Sequence, residues 1–371
     1  MFLIPLNKLK ALQTISDAVK QNYYPSLNGL RGLSIMLVVF GHLHFTGYYY
    51  IILCNGGLGV NIFFVLSGFL ITTICLKEID RTGKLSLKNF YIRRFLRIFP
   101  VAYLYLLVVF ILNYFFKLEV PGFQFLGAMF YVMDLNYFRE HQYTWVVEHY
   151  WSLSVEEQFY IIFPFILQKN VKVFTWSIVF IVAVLPVLCT IQKYYPPLNG
   201  GAFYGFTHYL WKFQSIAVGC LCAVLASKKV FDVDWIRSTK IAGNLIAFFL
   251  IFYLNYYQPY LLKAVYTDLA IALLTGYIVI SNILPAKDFI FRILNTKVLS
   301  AIGILSYSIY IWQQIFTTQD SNLPKYMTLF PYNLIWIAVV SSLSYYFYEQ
   351  YFLRLKSKFS EVKTVPLKIA E

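Results

Sequence analysis

Charge is what this chain has least of, and negative charge above all. Only 13% of its 371 residues are Asp, Glu, Lys or Arg, and 17 acidic residues stand against 31 basic ones. With 59% hydrophobic and 20% aromatic residues and a mean hydropathy of +0.62, a soluble globular domain of this size is excluded. Internal repeats, low-complexity stretches and linkers are missing too, so residues 1–371 read as one domain. Cysteine is sparse and odd in number. Cys54, Cys75, Cys189, Cys220 and Cys222 lie mostly within apolar runs without metal-ligand spacing, and read as inert packing residues with no metal site. A cleavable signal peptide is not expected either, because Pro5, Lys8 and Lys10 break the apolar start MFLIPLNKLKALQTISDAVK. An interfacial segment over residues 1–26, on the cytoplasmic face, suits it better.

What the chain has in abundance is apolar runs of membrane-crossing length. VAYLYLLVVFILNYFF, WSIVFIVAVLPVLC and YNLIWIAVVSSLSYYFY each approach the ~20 residues that cross a ~30 Å hydrocarbon layer. The expected fold is therefore all-α and polytopic, with about ten transmembrane helices around a central polar cavity. Candidate spans cover residues 29–47, 58–76, 99–116, 151–168, 173–191, 207–226, 241–257, 262–283, 300–317 and 329–350. Segment 122–138 is apolar but short, and it carries Gln124, Asp134 and Asn136. Charge decides its place. If it does not cross, 25 of the 31 Lys and Arg fall on one side of the membrane, whereas a crossing would scatter them over both. Both termini are then cytoplasmic, segment 122–138 is re-entrant or packed at the outer face, and residues 351–371 form a short basic tail with no further domain expected. The net charge of +14 reports topology and contact with anionic lipid, so no nucleic-acid partner is expected.

Ionisable residues inside such runs are the candidate functional groups, since a charge at the bilayer centre costs ~2.5–3.5 kcal/mol on insertion scales. Arg31 and His42 occur in GLRGLSIMLVVFGHLHF. Their separation of eleven residues puts them on one helical face about 16 Å apart. Arg31 also reads as a snorkelling anchor, and His42 as a hydrogen-bonded core histidine. In GGLGVNIFFVLSGFLITT, residues 56–73, small and polar residues suit close helix packing. Arg93, Arg94 and Arg97 cluster at the start of the third span. Topology explains their number, and the planar fork of Arg suits bidentate phosphate binding. Glu156 and Glu157, adjacent in EHYWSLSVEEQFYIIFPFIL, require that at least one faces a polar cavity.

Five motifs in order over residues 26–314 resemble those of the membrane-bound acyltransferase family 3, bacterial O-acyltransferases of cell-surface polysaccharides. LNGLRGLSIMLVVFGH resembles the family's Arg, ten residues, His motif, and GVNIFFVLSGFLITT its second-helix signature. RRFLRIFP is similar to its arginine motif, WSLSVEEQFYIIFP to its glutamate motif, and LSYSIYIWQQ to its late Ser-Tyr helix. The sequence departs from the family in Asn28, where relatives often have Asp, and in Gln313, where they often have His.

The resemblance implies a multi-pass protein of the bacterial inner membrane that moves an acyl group, most often acetyl, from cytosolic acyl-coenzyme A. The acceptor would be a hydroxyl of a surface glycan or a lipid-linked sugar at the outer side. Arg31, Arg93, Arg94 and Arg97 would hold the coenzyme phosphates, and His42 would act as general base. Glu156 or Glu157 would orient the imidazole or bind the sugar. The ten residues between Arg31 and His42 match roughly the length of a pantetheine arm. A glycan transporter or flippase is the competing reading, because buried His and Glu also suit proton coupling. Acyl-coenzyme A binding separates the two.

Overall fold

The computed structural model describes residues 19, 21, 23–43, 55–135, 137–138, 144–195, 201–228, 230–257, 263–284, 286, 288–318 and 322–359. Among them every regular element is a helix. The helices of more than four residues are α1 (Pro25–Gly41), α2 (Gly56–Thr82), α3 (Leu87–Phe116), α4 (Gly122–Met129), α5 (Tyr150–Lys169), α6 (Val171–Tyr194), α7 (Gly201–Trp211), α8 (Gln214–Ser227), α9 (Val233–Tyr257), α10 (Lys263–Ile283), α11 (Phe289–Leu294) and α12 (Lys297–Phe316). After them α13 (Tyr332–Leu343) passes through a π-helical stretch, Ser344–Glu349, into α14 (Gln350–Ser357). The expected interfacial segment 1–26 and the tail 351–371 lie largely outside the described residues, as do Cys54 and His44.

Local chemistry sets the boundaries that matter for the site. Pro25 opens α1, where its missing N–H costs nothing. Asn55 caps α2 by accepting from the Leu58 amide at 2.9 Å, and Ser86 caps α3 by accepting from Asn89 at 3.4 Å. Gly83 closes α2 at φ 77°, a left-handed conformation that costs glycine little. These caps make α2 and α3 27 and 30 residues long, so each runs well beyond the apolar stretch read from sequence.

Six helices are long and apolar enough to cross a membrane, or seven if α7 and α8, bent by 56°, count as one broken span. The protein is multi-pass. Three stretches expected to cross fall outside that set. α1 has 17 residues, Glu156, Glu157 and Gln158 dilute the hydropathy of α5, and α13 with 12 residues gives way to the π-helical stretch. Helix α4, within segment 122–138, has eight residues and cannot cross. The core is a seam in which α2 packs on α8 and on α1, and α1 packs on α12. Gly68 and Gly219 face the partner backbone at the α2–α8 crossing, and Gly303 faces α1 from α12. Small residues allow this approach where lipid provides no hydrophobic drive for helix pairing.

Candidate active site

One cavity of about 250 Å³ lies among α1, α2, α3, α5, α12 and α14. Arg31, Arg93, Arg94, Arg97, Lys356 and Glu156 line it, together with Ser67, Ser152, Tyr310 and an apolar wall that includes Phe63, Leu70 and Ile74. Four sequence-predicted arginines from two helices thus meet at one space, with one of the two predicted glutamates. Glu157, one residue on and 100° around α5, does not line it. Glu157 is buried, and its Oε1 has no hydrogen-bond partner among the described residues.

The arginines are held differently. Arg93 donates to Glu78 Oε2 and to the Phe359 carbonyl, each at 2.8 Å, and Glu78 also accepts from the Ser86 amide at 2.8 Å. Arg93 therefore fastens α3 to α2 and to the end of α14, while one side of it still faces the cavity. Arg94 sits over the Tyr160 ring, 3.9 Å from its centroid, a cation–π arrangement. Its Nε is buried without an acceptor. Tyr160 shares a hydrogen bond with Ser67 and reaches Glu156 Oε1 at 3.4 Å. Among the described residues the ion pairs are those of Arg93, Lys212, Arg237 and Lys240; Arg31, Arg97 and Lys356 are in none of them. Guanidinium donors that the protein leaves unmatched around a polar space are what a bound polyanion satisfies.

His42, at the end of α1, does not line this cavity. Its Nδ1 lies 2.9 Å from Gln313 Oε1, and its ring stands edge-on to Trp145, 5.0 Å between centroids. Gln313 Nε2 donates to Gln314 Oε1 at 2.8 Å, and Gln314 Nε2 donates to the Trp145 carbonyl at 2.8 Å. The direction of this chain is fixed from its far end. A backbone carbonyl only accepts, so Gln314 must offer it the amide N–H and turn its oxygen to Gln313. Gln313 in turn offers its N–H to Gln314 and its oxygen to His42. The imidazole then carries its proton on Nδ1, and the lone pair sits on Nε2.

Between the cavity and the histidine stands a polar cluster absent from the sequence candidates. Ser152 Oγ and Tyr310 OH line the cavity and share a hydrogen bond at 2.5 Å; each lies 3.1 Å from the His149 carbonyl, which accepts from whichever of the two does not donate to the other. The His149 ring is buried among Tyr105, Tyr150 and Tyr310, and among the described residues neither of its nitrogens has a hydrogen-bond partner. Leaving both nitrogens of a buried imidazole unpaired costs ~1–3 kcal/mol. Its position in EHYW, just before the glutamate pair, was the one signal available. On α14, Lys356 was hidden among the basic residues of the tail.

Comparison with known proteins places this geometry in context. A protein-family profile described as an acyltransferase domain matches residues 24–341. The chain is 32% identical to peptidoglycan O-acetyltransferase OatA of Listeria monocytogenes, over 79% of this chain and 49% of that protein. It is 29% identical to a putative O-acetyltransferase of Staphylococcus aureus, over 89% of this chain and 57% of the relative. To the putative peptidoglycan O-acetyltransferase YrhL of Bacillus subtilis it is 28% identical, over 88% and 54% respectively. The chain thus spans about half the length of the curated relatives it matches. No solved structure matches it.

Proposed function

The chain belongs to the acyltransferase family 3, and from that premise we propose that it transfers an acyl group, acetyl first, from cytosolic acyl-coenzyme A to a glycan hydroxyl across the membrane. One observation carries the reading. Arg31, Arg93, Arg94 and Arg97 converge on a single cavity, and the helix that supplies Arg31 ends eleven residues later in His42. The relatives' names support a glycan acceptor, with peptidoglycan as the first to test. About ten spans with both termini cytoplasmic put the arginines at the cytosolic end and His42 toward the outer face, in line with the excess of basic residues on that side.

The coenzyme would supply a thioester, an acyl group already activated for transfer. The guanidiniums would hold its phosphates, with Arg94 Nε among the donors waiting for an acceptor. The acyl end would pass Ser152 and Tyr310 to reach His42. An alcohol is a weak nucleophile near neutral pH, so His42 Nε2 takes the hydroxyl proton as the oxygen attacks the carbonyl carbon. As the tetrahedral centre collapses, the carbon–sulfur bond breaks and the thiolate recovers the proton from His42. Gln313 keeps Nδ1 protonated throughout, and Glu156 at the cavity wall would keep the field near the arginines from becoming wholly positive.

The test is direct. Purified protein in nanodiscs, given acetyl-coenzyme A and a soluble muropeptide or chito-oligosaccharide, should release coenzyme A only with acceptor present and form an ester. Failure to bind acetyl-coenzyme A would remove the reading. A narrower prediction concerns Gln313. In Gln313→Leu the imidazole loses its fixed tautomer, and kcat should fall about tenfold, the worth of one hydrogen bond of ~1.5 kcal/mol, with KM for the donor unchanged. An unaltered kcat would show that the glutamine chain does not position the base.

A further inference from the structure

Lys356 is the fifth cation of the arginine cavity, and among the described residues no ion pair includes it. It sits on α14, which packs against α3. Three residues later, the Phe359 carbonyl accepts from Arg93 at 2.8 Å, so the end of α14 is tied to the same cluster. A second tie lies above it. Glu349 accepts from Ser308 at 2.6 Å and from Ser344 at 3.1 Å, which fixes the π-helical stretch to α12 just before α14 begins. The helix carrying Lys356 is therefore held at both ends with its lysine turned into the cavity.

The electrostatics make this placement costly without a ligand. Lys356 is half-buried beside four guanidiniums, and among the described residues Glu156 is the one carboxylate lining the cavity. Burial first, and then Arg97, Arg94, Arg93 and Arg31, hold its ammonium well below the ordinary lysine range. A lysine placed for topology alone would turn outward to water or headgroups, as its long stem allows. Lys356 also lies beyond residues 24–341, the stretch matched by the acyltransferase-domain profile.

We propose that Lys356 binds the 3′-phosphate of the coenzyme A donor at the cavity mouth, as a contact supplied by α14. This rests on the acyl-coenzyme A reading above. If the thioester end points toward His42, the phosphorylated ribose is the part of the donor left at the arginine end. A phosphomonoester carries close to two negative charges at neutral pH. Of the donor's phosphates it most needs a compact point charge such as an ammonium, while the guanidinium forks suit the pyrophosphate deeper in.

The experiment measures binding of acetyl-coenzyme A and of 3′-dephospho-acetyl-coenzyme A to the full chain in phosphatidylcholine nanodiscs, where no anionic headgroup competes. Wild type should prefer the phosphorylated donor about tenfold. Lys356→Gln should bind acetyl-coenzyme A about tenfold more weakly, equivalent to about 1.4 kcal/mol, and the dephosphorylated donor as wild type does. Lys356→Arg should recover most of the loss. If Lys356→Gln binds acetyl-coenzyme A as tightly as wild type, or weakens both donors equally, the proposal is overturned while the acyl-coenzyme A reading stands. Equal affinity of wild type for the two donors overturns it without any variant. Should Lys356→Gln fail to yield folded protein, Lys356→Met provides the same comparison. No binding of acetyl-coenzyme A by wild type overturns both readings together.

Discussion

His42→Ala should reduce acyl transfer by about 10²- to 10⁴-fold, the range that a positioned general base contributes, while leaving donor affinity nearly intact. The separation of effects follows from geometry. His42 does not line the arginine cavity, so removing its imidazole leaves Arg31, Arg94 and Arg97 where they are. Arg94→Ala should show the opposite pattern, with a raised KM for the donor and a smaller change in kcat, because Arg94 lies at the cavity and touches Tyr160 rather than His42. Truncating His42 also frees Gln313 Oε1 and removes an edge contact with Trp145, so the thermal transition of each variant has to be compared with wild type. Added imidazole should restore part of the activity of His42→Ala if what was lost is a proton acceptor. Wild-type rates in His42→Ala would remove the histidine from the chemistry.

Sequence alone carried the site as far as residue types and helices, and stopped where helix phase begins to matter. Arg31, His42 and the three arginines stood out because ionisable groups in apolar runs are expensive. Glu156 and Glu157 could not be told apart, since adjacent residues on a helix point 100° apart and only the packing of α5 decides which faces inward. Arg93 looked equivalent to Arg94, yet Glu78 pairs with it because α2 continues to Thr82 and brings a carboxylate under α3. Gln313 read as a departure from a family pattern. Its contact with His42 spans 271 residues of sequence, a separation no local pattern reveals. Lys356 was lost among the basic residues of the tail, and its inward turn depends on the π-helical stretch at Ser344–Glu349, which resets the phase of everything after it. His149 escaped because one histidine beside aromatic residues looks like packing until both its nitrogens prove unsatisfied.

Gly303→Val should abolish folded, active protein more completely than any change at the cavity itself. A Cβ at residue 303 would fall inside contact distance of the Asn28 carbonyl, with the Asn28 carbon at 2.7 Å and the Gly32 amide nitrogen at 3.2 Å. All three are backbone atoms of α1, so no rotamer change can make room. The only relief is for α1 to move off α12. That shift would carry Arg31 away from Arg94 and Arg97 and would pull His42 from Gln313, since α1 bears the first residue of each set and α12 bears Gln313. Overpacking of a core costs ~1–3 kcal/mol when side chains can adjust. Here the obstacle is main chain, and the expected loss is about 4 kcal/mol or more, in the class reserved for large structural faults. Val298→Leu is the matched control, because Val298 lies on the same helix with 71% of its surface exposed. The control should express, melt and turn over like wild type. Gly303→Val should give little folded protein in detergent, and whatever is recovered should neither bind donor nor transfer the acyl group. Recovery of a folded Gly303→Val protein with normal donor affinity would mean that α1 and α12 do not approach this closely, and with it the link between Gln313 and His42 would fail.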